Sequence, residues 1–318
     1  MSSTLEIEDD GIIFGMSERP IRTSRSAVYW SHLQDYEKCP QMFLWRYGWE
    51  GYDLGSGVGN PKSVPQDKSE HHALLGSVIQ KVVEDITNEM LWKHPLGIED
   101  RIRNMIFDTF EFFEEKGKFI LTRDAPSKEE LRKDAFFGVK AWLKTARVHG
   151  WLKEGAASEM KLMTSLSGVP IGAKVDFLIP DGETHMILDG KNTLHRMKYT
   201  DPDQLRFYHL VYSLANGKDP SKLGLVWFRF PYDAESGEQG VDWVPCSERD
   251  IEGLKERIKK AFLSMVKGEF EAKPVPKVCS KCAFESVCEP RQIQKRKNAE
   301  KRSKGGKKVV HLDLVDSP

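Results

Sequence analysis

The sequence has no excess of charge of either sign and no long apolar run. Its 318 residues contain 48 Lys and Arg and 48 Asp and Glu, which excludes a protein that works mainly through an overall basic or acidic field. No apolar stretch approaches the roughly 18 residues that a membrane span needs, and the acidic residues 1–10 do not resemble a secretory signal. We therefore expect a cytoplasmic protein that has no membrane partner and acts through local sites.

Cysteine is also scarce, with five in the chain. In the cytoplasm these are poor disulfide candidates, so a group of them indicates metal binding or redox chemistry. Cys279, Cys282 and Cys288 lie within ten residues, and the Cys-x-x-Cys spacing allows two sulfurs to face one metal centre. A fourth ligand has to come from Cys39 or Cys246. Four thiolates suit zinc as well as an iron–sulfur cluster.

Changes in composition and hydrophobic period divide the chain into five zones, without an internal repeat. A helical part is predicted because apolar residues recur at three- and four-residue spacing, and a region of short strand-like runs begins at Glu159. The predicted zones are a flexible arm (1–25), a helical part with Cys39 (26–158), a core (159–270), a cysteine segment (271–290) and a disordered basic tail (291–318).

The neutral net charge of the chain conceals a strongly basic tail. Residues 291–308 hold nine Lys and Arg and one acidic residue, without apolar periodicity, which is typical of disorder. Such a tail either binds nucleic-acid phosphates or only improves solubility. Residues 309–318 are apolar and acidic, and are a candidate docking peptide for a protein partner. The candidate phosphate-binding residues are Lys295, Arg296, Lys297, Lys301 and Arg302.

Two consecutive predicted strands carry the most informative charges. The first contains Asp176 among apolar neighbours, and the second ends in Asp189-x-Lys191, whose side chains share one face. A turn at 182–183 sets Asp176 directly opposite Asp189, whereas a turn at 181–182 sets Asp189 opposite Lys174. In either register two buried carboxylates repel each other unless a cation lies between them.

Mg²⁺ or Mn²⁺ suits such a pair of hard oxygen ligands, and can lower the pKa of a bound water and brace a phosphate. Lys191 would then orient the attacking water or help to deprotonate it. The alternative is an ordinary Lys–Asp pair on an exposed hairpin.

The motifs around this hairpin resemble the PD-(D/E)XK nuclease superfamily, and within it the RecB-like and CRISPR-associated exonuclease branch. Gly172-Ala-Lys-Val-Asp176 is similar to the branch's G-x-x-D strand, and Asp189-Gly-Lys-Asn-Thr193 to its D-Y-K-T strand. Gln204-Leu-Arg-Phe-Tyr208 is similar to its Q-x-x-x-Y helix. The resemblance implies an α/β, restriction-endonuclease-like core, with a mixed central sheet flanked by helices, between an N-terminal helical part and a C-terminal segment stapled by an iron–sulfur cluster.

The resemblance also implies an activity and its residues. It implies a metal-dependent deoxyribonuclease, an exonuclease acting on single-stranded DNA or DNA ends in repair, recombination or mobile-element processing. Asp176 and Asp189 would bind Mg²⁺ or Mn²⁺, and the catalytic set would be completed by Lys191, Gln204 and Tyr208.

An earlier helix departs from the branch. Gly76-Ser-Val-Ile-Gln80-Lys-Val-Val-Glu84 is similar to a G-x-x-x-H-x-x-x-E segment, but Gln80 stands where the resemblance implies a metal-binding histidine. Gln80, Glu84 and Glu159 are therefore further candidate metal ligands. The missing histidine favours an alternative, a DNA-binding or assembly factor that keeps the scaffold without cleaving.

The resemblance bears on the cysteines as well. The branch combines one early cysteine with a late group of three around a [4Fe-4S] cluster, which implies Cys39, Cys279, Cys282 and Cys288 as ligands. A zinc-stabilised scaffold protein is the remaining alternative. The sequence leaves the oligomeric state open.

Overall fold

A computed structural model describes residues 27–49, 71–116, 125–196 and 201–305, with side chains as far as residue 299. The predicted arm at 1–25, the candidate docking peptide at 309–318 and the side chains of Lys301 and Arg302 lie outside the described residues. The chain forms two compact units, one from residues 1–33 and 68–266, the other from 34–67 and 267–318. Within the described ranges, no helix is both long enough and apolar enough to cross a bilayer.

Helices precede the sheet, as the periodicity predicts. They are α1 (Trp30–Lys38), α2 (Pro40–Tyr47), α3 (His71–Asn88), α4 (Ile98–Glu115) and α5 (Lys128–Val148). In α3 the apolar spacing produces one buried face that packs with α4 and α5. A capping box between Ser127 and Glu130 starts α5.

The larger unit is built on a five-stranded sheet in the order β1-β2-β3-β4-β5. Its strands are β1 (Ala157–Leu166), β2 (Val169–Asp181), β3 (Thr184–Lys191), β4 (Lys222–Trp227) and β5 (Val241–Trp243). All neighbours are antiparallel except β3 and β4, which are parallel and joined through α6 (Asp203–Asn216). Helix α7 (Glu248–Val266) packs against α6. The mixed α/β architecture implied by the resemblance is confirmed.

The β2–β3 hairpin adopts the register that aligns the two carboxylates. Phe177 pairs with Leu188 and Asp181 with Thr184, so the two-residue turn is at 182–183. The alternative register, with Asp189 opposite Lys174, is wrong. Gly182 has a φ of 64° at the first turn position, where a type II′ turn favours glycine.

The smaller unit has an aromatic core and two further helices, α8 (Pro276–Cys279) and α9 (Glu289–Gly305). Phe43 stacks on Phe270, with ring centroids 6.2 Å apart, and Tyr36 meets both rings edge-on. The expectation of a disordered tail is wrong as far as residue 305. Lys, Arg, Gln and Glu have high helix propensity, and buried Arg291 anchors the start of α9 through a 3.0 Å hydrogen bond from its Nε to Glu285 Oε1.

Candidate functional site

The two aligned carboxylates lie where the β2–β3 ladder ends. The last paired residues are Phe177 and Leu188, and Asp176 and Asp189 follow directly in that register. The Gly190 N–H donates to Asp176 Oδ2 at 2.8 Å. In a regular strand pair this N–H would donate to a backbone carbonyl, so here a side-chain carboxylate takes the place of that carbonyl. The strands therefore present an acidic site at this end of the hairpin.

The environment of both carboxylates disfavours their charged forms. Burial raises the pKa of Asp176 to about 7, and the charge of Asp189 adds to this effect. Asp189 is buried, and burial raises its pKa as well, although Lys191 opposes the shift. Two neighbouring buried acids with raised pKa values are chemically suited to a bound cation.

Lys191 connects the carboxylates to helix α6. Its ammonium forms an ion pair with Asp189 Oδ2 and donates to Gln204 Oε1 at 3.1 Å. Gln204 Nε2 in turn lies 2.8 Å from the Tyr208 hydroxyl, one helical turn further on. Burial and the two nearby carboxylates raise the pKa of Tyr208, which stays protonated. The structure thus brings together all five residues that the sequence predicts to be catalytic.

A third acid stands opposite Asp176 on the neighbouring strand. The β1–β2 register, with Ser158 paired to Phe177 and Met160 to Val175, places Glu159 across from Asp176. Glu159 has a left-handed φ of 59°, which is uncommon for a residue other than glycine. Its Oε1 accepts a hydrogen bond from Gln80 Nε2 at 3.2 Å, and its Oε2 forms an ion pair with Lys174.

Gln80, Glu159, Lys174 and Asp176 line one open cleft of about 480 Å³. Helix α3 forms one wall, and the ends of β1, β2 and β3 form the other. Glu84 lines the cleft but is paired with Lys81 at 3.4 Å. The lining residues are Ala73, Gly76, Ser77, Gln80, Lys81, Glu84, Phe113, Glu159, Lys174, Asp176, Gly190, Asn192 and Phe228.

Sequence reasoning missed two features of this cleft. Lys174 precedes Asp176 by two residues and so faces the same side of β2, where it binds Glu159 and lowers the Asp176 pKa. The two-residue alternation of side chains along a strand could have identified Lys174 as a neighbour of Asp176 from the sequence. Asn192 lines the cleft and accepts from Arg229 Nε at 3.0 Å. No local pattern connects residues 192 and 229, so this contact required the fold.

The donor set of the acidic site fits magnesium or manganese. In the part of the chain that the structure describes, no three His, Cys, Asp or Glu side chains converge as ligands of one ion. Mg²⁺, however, commonly uses one or two carboxylates and completes its shell with water and substrate phosphate. Asp176 and Asp189 supply that pair.

Four of the five cysteines line one pocket in the smaller unit. Cys39, at the N-cap of α2, lines this pocket together with Cys279, Cys282 and Cys288. All four are free thiols. Burial raises the pKa values of Cys279 and Cys282, and the other pocket thiols add to the shift. A site with four thiols has the donor chemistry of zinc or an iron–sulfur cluster, and either would release protons on binding.

Cys246 has a different environment. It belongs to the larger unit, where its Sγ lies 3.1 Å from His209 Nδ1. His209 Nε2 lies 3.1 Å from Asp219 Oδ1. Burial raises the pKa of the Cys246 thiol, so it remains protonated. Of the two sequence candidates for the fourth pocket thiol, the structure selects Cys39.

The site has a pair of aligned, buried carboxylates and a lysine two residues beyond the second of them. It lies on a mixed sheet with a flanking helix. Together these features define a nuclease core. The family model of the PD-(D/E)XK nuclease superfamily matches residues 30–289. The chain belongs to this superfamily.

Two solved structures are similar to the chain at low identity. One, from Eubacterium rectale, is named "Putative exonuclease"; it shares 12% identity, with 81% of this chain and 90% of that chain covered and a TM-score of 0.49. The other, named SSO0001, shares 16% identity over 51% of this chain and 78% of its own, with a TM-score of 0.28. A search of curated proteins finds no match.

Proposed function

We propose that this protein is a metal-dependent deoxyribonuclease that hydrolyses phosphodiester bonds at the acidic cleft. The observation that carries the proposal is the alignment of Asp176 with Asp189 beside Lys191, within a chain of the PD-(D/E)XK superfamily. Mg²⁺ or Mn²⁺ would be held by the two carboxylates and would supply Lewis acidity to the scissile phosphate.

The residues of the chain have separate roles in this proposal. Lys191 places a positive charge beside Asp189, and this charge orients the attacking water and helps to lower its pKa. Gln204 holds the Lys191 ammonium, and Tyr208 holds Gln204. Because the pKa of Tyr208 is raised, its hydroxyl acts as a hydrogen-bonding group and not as a base.

The finer assignment is an exonuclease of the RecB-like and CRISPR-associated branch, acting on single-stranded DNA or DNA ends in repair, recombination or mobile-element processing. It rests on the order and spacing of the motifs that end in Gln204 and Tyr208. The exposed residues Arg296 and Lys297 on α9 would add sequence-independent affinity by contacting phosphates.

A [4Fe-4S] cluster bound by Cys39, Cys279, Cys282 and Cys288 belongs to the same proposal. A single zinc ion needs sulfurs about 2.3 Å from one point, whereas a cluster places iron and sulfide between its thiolates. Four thiols line one pocket, and the resemblance of the cysteine pattern to that of the branch favours the cluster over zinc. Its role would be structural, because it would join segments that are distant in sequence.

The test is incubation of the purified protein with end-labelled linear DNA and with circular DNA, in Mg²⁺, in Mn²⁺ and in chelator. We expect metal-dependent cleavage, abolished in Asp189→Asn and Lys191→Ala with DNA binding retained. Asp181→Asn, at the far end of the same hairpin, is the matched control. Degradation of linear DNA alone indicates an exonuclease, and undiminished cleavage by Asp189→Asn would contradict the assignment.

A further inference from the structure

Gln80 presents a hydrogen-bond donor to the acidic cleft. Its Nε2 lies 3.2 Å from Glu159 Oε1, and an ionised carboxylate can only accept hydrogen bonds. The amide must therefore face Glu159 with its nitrogen. The end of the amide that faces Glu159 is thus a donor, which supports the carboxylate and cannot itself bind a cation.

The oxygen of the same amide faces strand β3. A Cβ atom added at Gly190 would lie 3.1 Å from Gln80 Oε1, at the residue between Asp189 and Lys191. Gln80 thus lies between Glu159 on β1 and the β3 backbone, with one end of its amide directed to each.

Glu159 is held in place by its neighbours as well. The preceding residue, Ser158, donates its N–H to Asn88 Oδ1 at 2.8 Å, and its hydroxyl donates to the Asp176 carbonyl at 2.6 Å. Lys174 pairs with Glu159 and also lowers the pKa of Asp176. Glu159, Lys174 and Asp176 all line the same cleft.

We propose that Gln80 is a positioning residue that orients Glu159 towards the divalent cation bound by Asp176 and Asp189. This inference rests on the proposed function. Glu159 acts at the distance of an intervening water, because the described acids form no three-ligand group and Mg²⁺ retains several waters. Gln80 thereby influences the cation through Glu159 and without coordinating it.

A double-mutant cycle on Mn²⁺ affinity tests this role without any turnover. Free Mn²⁺ is measured by electron paramagnetic resonance for the full chain and for Gln80→Met, Glu159→Gln and the double variant, without DNA. Each single change should weaken binding by roughly tenfold, which is typical when a group supporting a metal ligand is removed. The double variant should bind no more weakly than Glu159→Gln, because two residues that act through one contact are not additive.

Ser77→Ala, which lines the same cleft one turn earlier on α3, is the matched control and should leave the affinity unchanged. Gln80→Ala repeats the cycle with a smaller side chain, and thermal unfolding verifies that each variant is folded. Additive losses of Mn²⁺ affinity, or an unchanged affinity in both Gln80 variants, would overturn this inference but leave the proposed function standing. A chain that binds no Mn²⁺, or whose binding survives Asp176→Asn and Asp189→Asn, would overturn the proposed function together with it.

Discussion

The chemistry at the residue scale is concentrated in Asp176. Its carboxylate accepts the Gly190 N–H at 2.8 Å, yet its pKa is raised to about 7 because burial and Asp189 outweigh this bond and the two lysines. A side chain in this environment destabilises the metal-free protein when it is ionised. The acidic site therefore lowers stability in exchange for a place where a cation can bind.

Asp176→Asn should change the pH dependence of metal-free stability. The folded pKa of about 7 exceeds the unfolded value of about 3.9, so the folded state binds more protons and stability falls as pH rises between these values. In thermal unfolding in chelator, Asp176→Asn should be about as stable as the natural chain at pH 4 and more stable at pH 8, by about 4 kcal/mol, because the folded and unfolded pKa values differ by about three units. Equal melting temperatures of the two proteins at pH 8 would contradict this explanation.

At the element scale, β3 carries the site because Gly190, next to its last residue, allows close approach. Gly190 lies between Asp189 and Lys191, and an added Cβ would lie 2.5 Å from the ring of Phe228, which is buried. A glycine inside a strand often marks such a contact. The same residue donates its N–H to Asp176, so β3 supplies an acid, a backbone donor and an ammonium in three consecutive residues.

Gly190→Ala should destabilise the protein by about 1–3 kcal/mol, because an overpacked core forces buried groups to shift. Denaturant unfolding in chelator measures this loss directly. The matched control is Gly253→Ala in α7, where an added Cβ meets nothing within 4 Å and the change should stabilise the helix by up to about 1 kcal/mol. Similar effects of the two substitutions would show that space at Gly190 is unimportant.

Helix α9 contributes a basic surface, since Arg296 and Lys297 are exposed while Arg291 is buried at its start. Replacing Arg296 and Lys297 with Gln should weaken DNA binding equally for all sequences and lower the salt slope of log Kd by about 0.7–0.9 for each phosphate that is no longer neutralised. Fluorescence anisotropy across a salt series measures both quantities. An unchanged slope would mean that this part of α9 does not bind DNA.

At the scale of the whole molecule, the smaller unit joins chain segments about 240 residues apart. Residues 34–67 and 267–318 form it together, and its four pocket thiols come from both segments. A cluster bound there would stabilise the folded chain, because metal binding and folding are linked.

Anaerobically purified protein should be brown and contain iron. Cys39→Ser should lose the colour and have a lower melting temperature, because one cluster ligand is removed. Cys246→Ser should keep the colour and the melting temperature of the natural chain. Visible absorbance, metal analysis and thermal unfolding of the two variants measure the difference. Zinc without iron would favour the structural zinc alternative, and a brown Cys39→Ser protein beside a colourless Cys246→Ser protein would identify Cys246 as the fourth ligand.

The sequence by itself determined those features that depend on local period and spacing. Asp189 and Lys191 share a face because a strand repeats every two residues, and Gln204 contacts Tyr208 because a helix brings residues four apart together. The apolar spacing of α3 likewise predicted the helix that forms one wall of the cleft. Each of these features depends on neighbours that are close in sequence.

Only the tertiary structure decided the contacts between distant segments. The sequence allowed two hairpin registers, and the strand pairing, in which Asp181 is opposite Thr184, shows which one forms. It allowed Cys39 or Cys246 in the thiol pocket, and the pairing of two remote segments selected Cys39. It also left the role of Gln80 open, because the direction of its amide depends on Glu159, 79 residues away. Hydrogen-bond direction and pocket membership are set by three-dimensional packing, which local patterns do not encode.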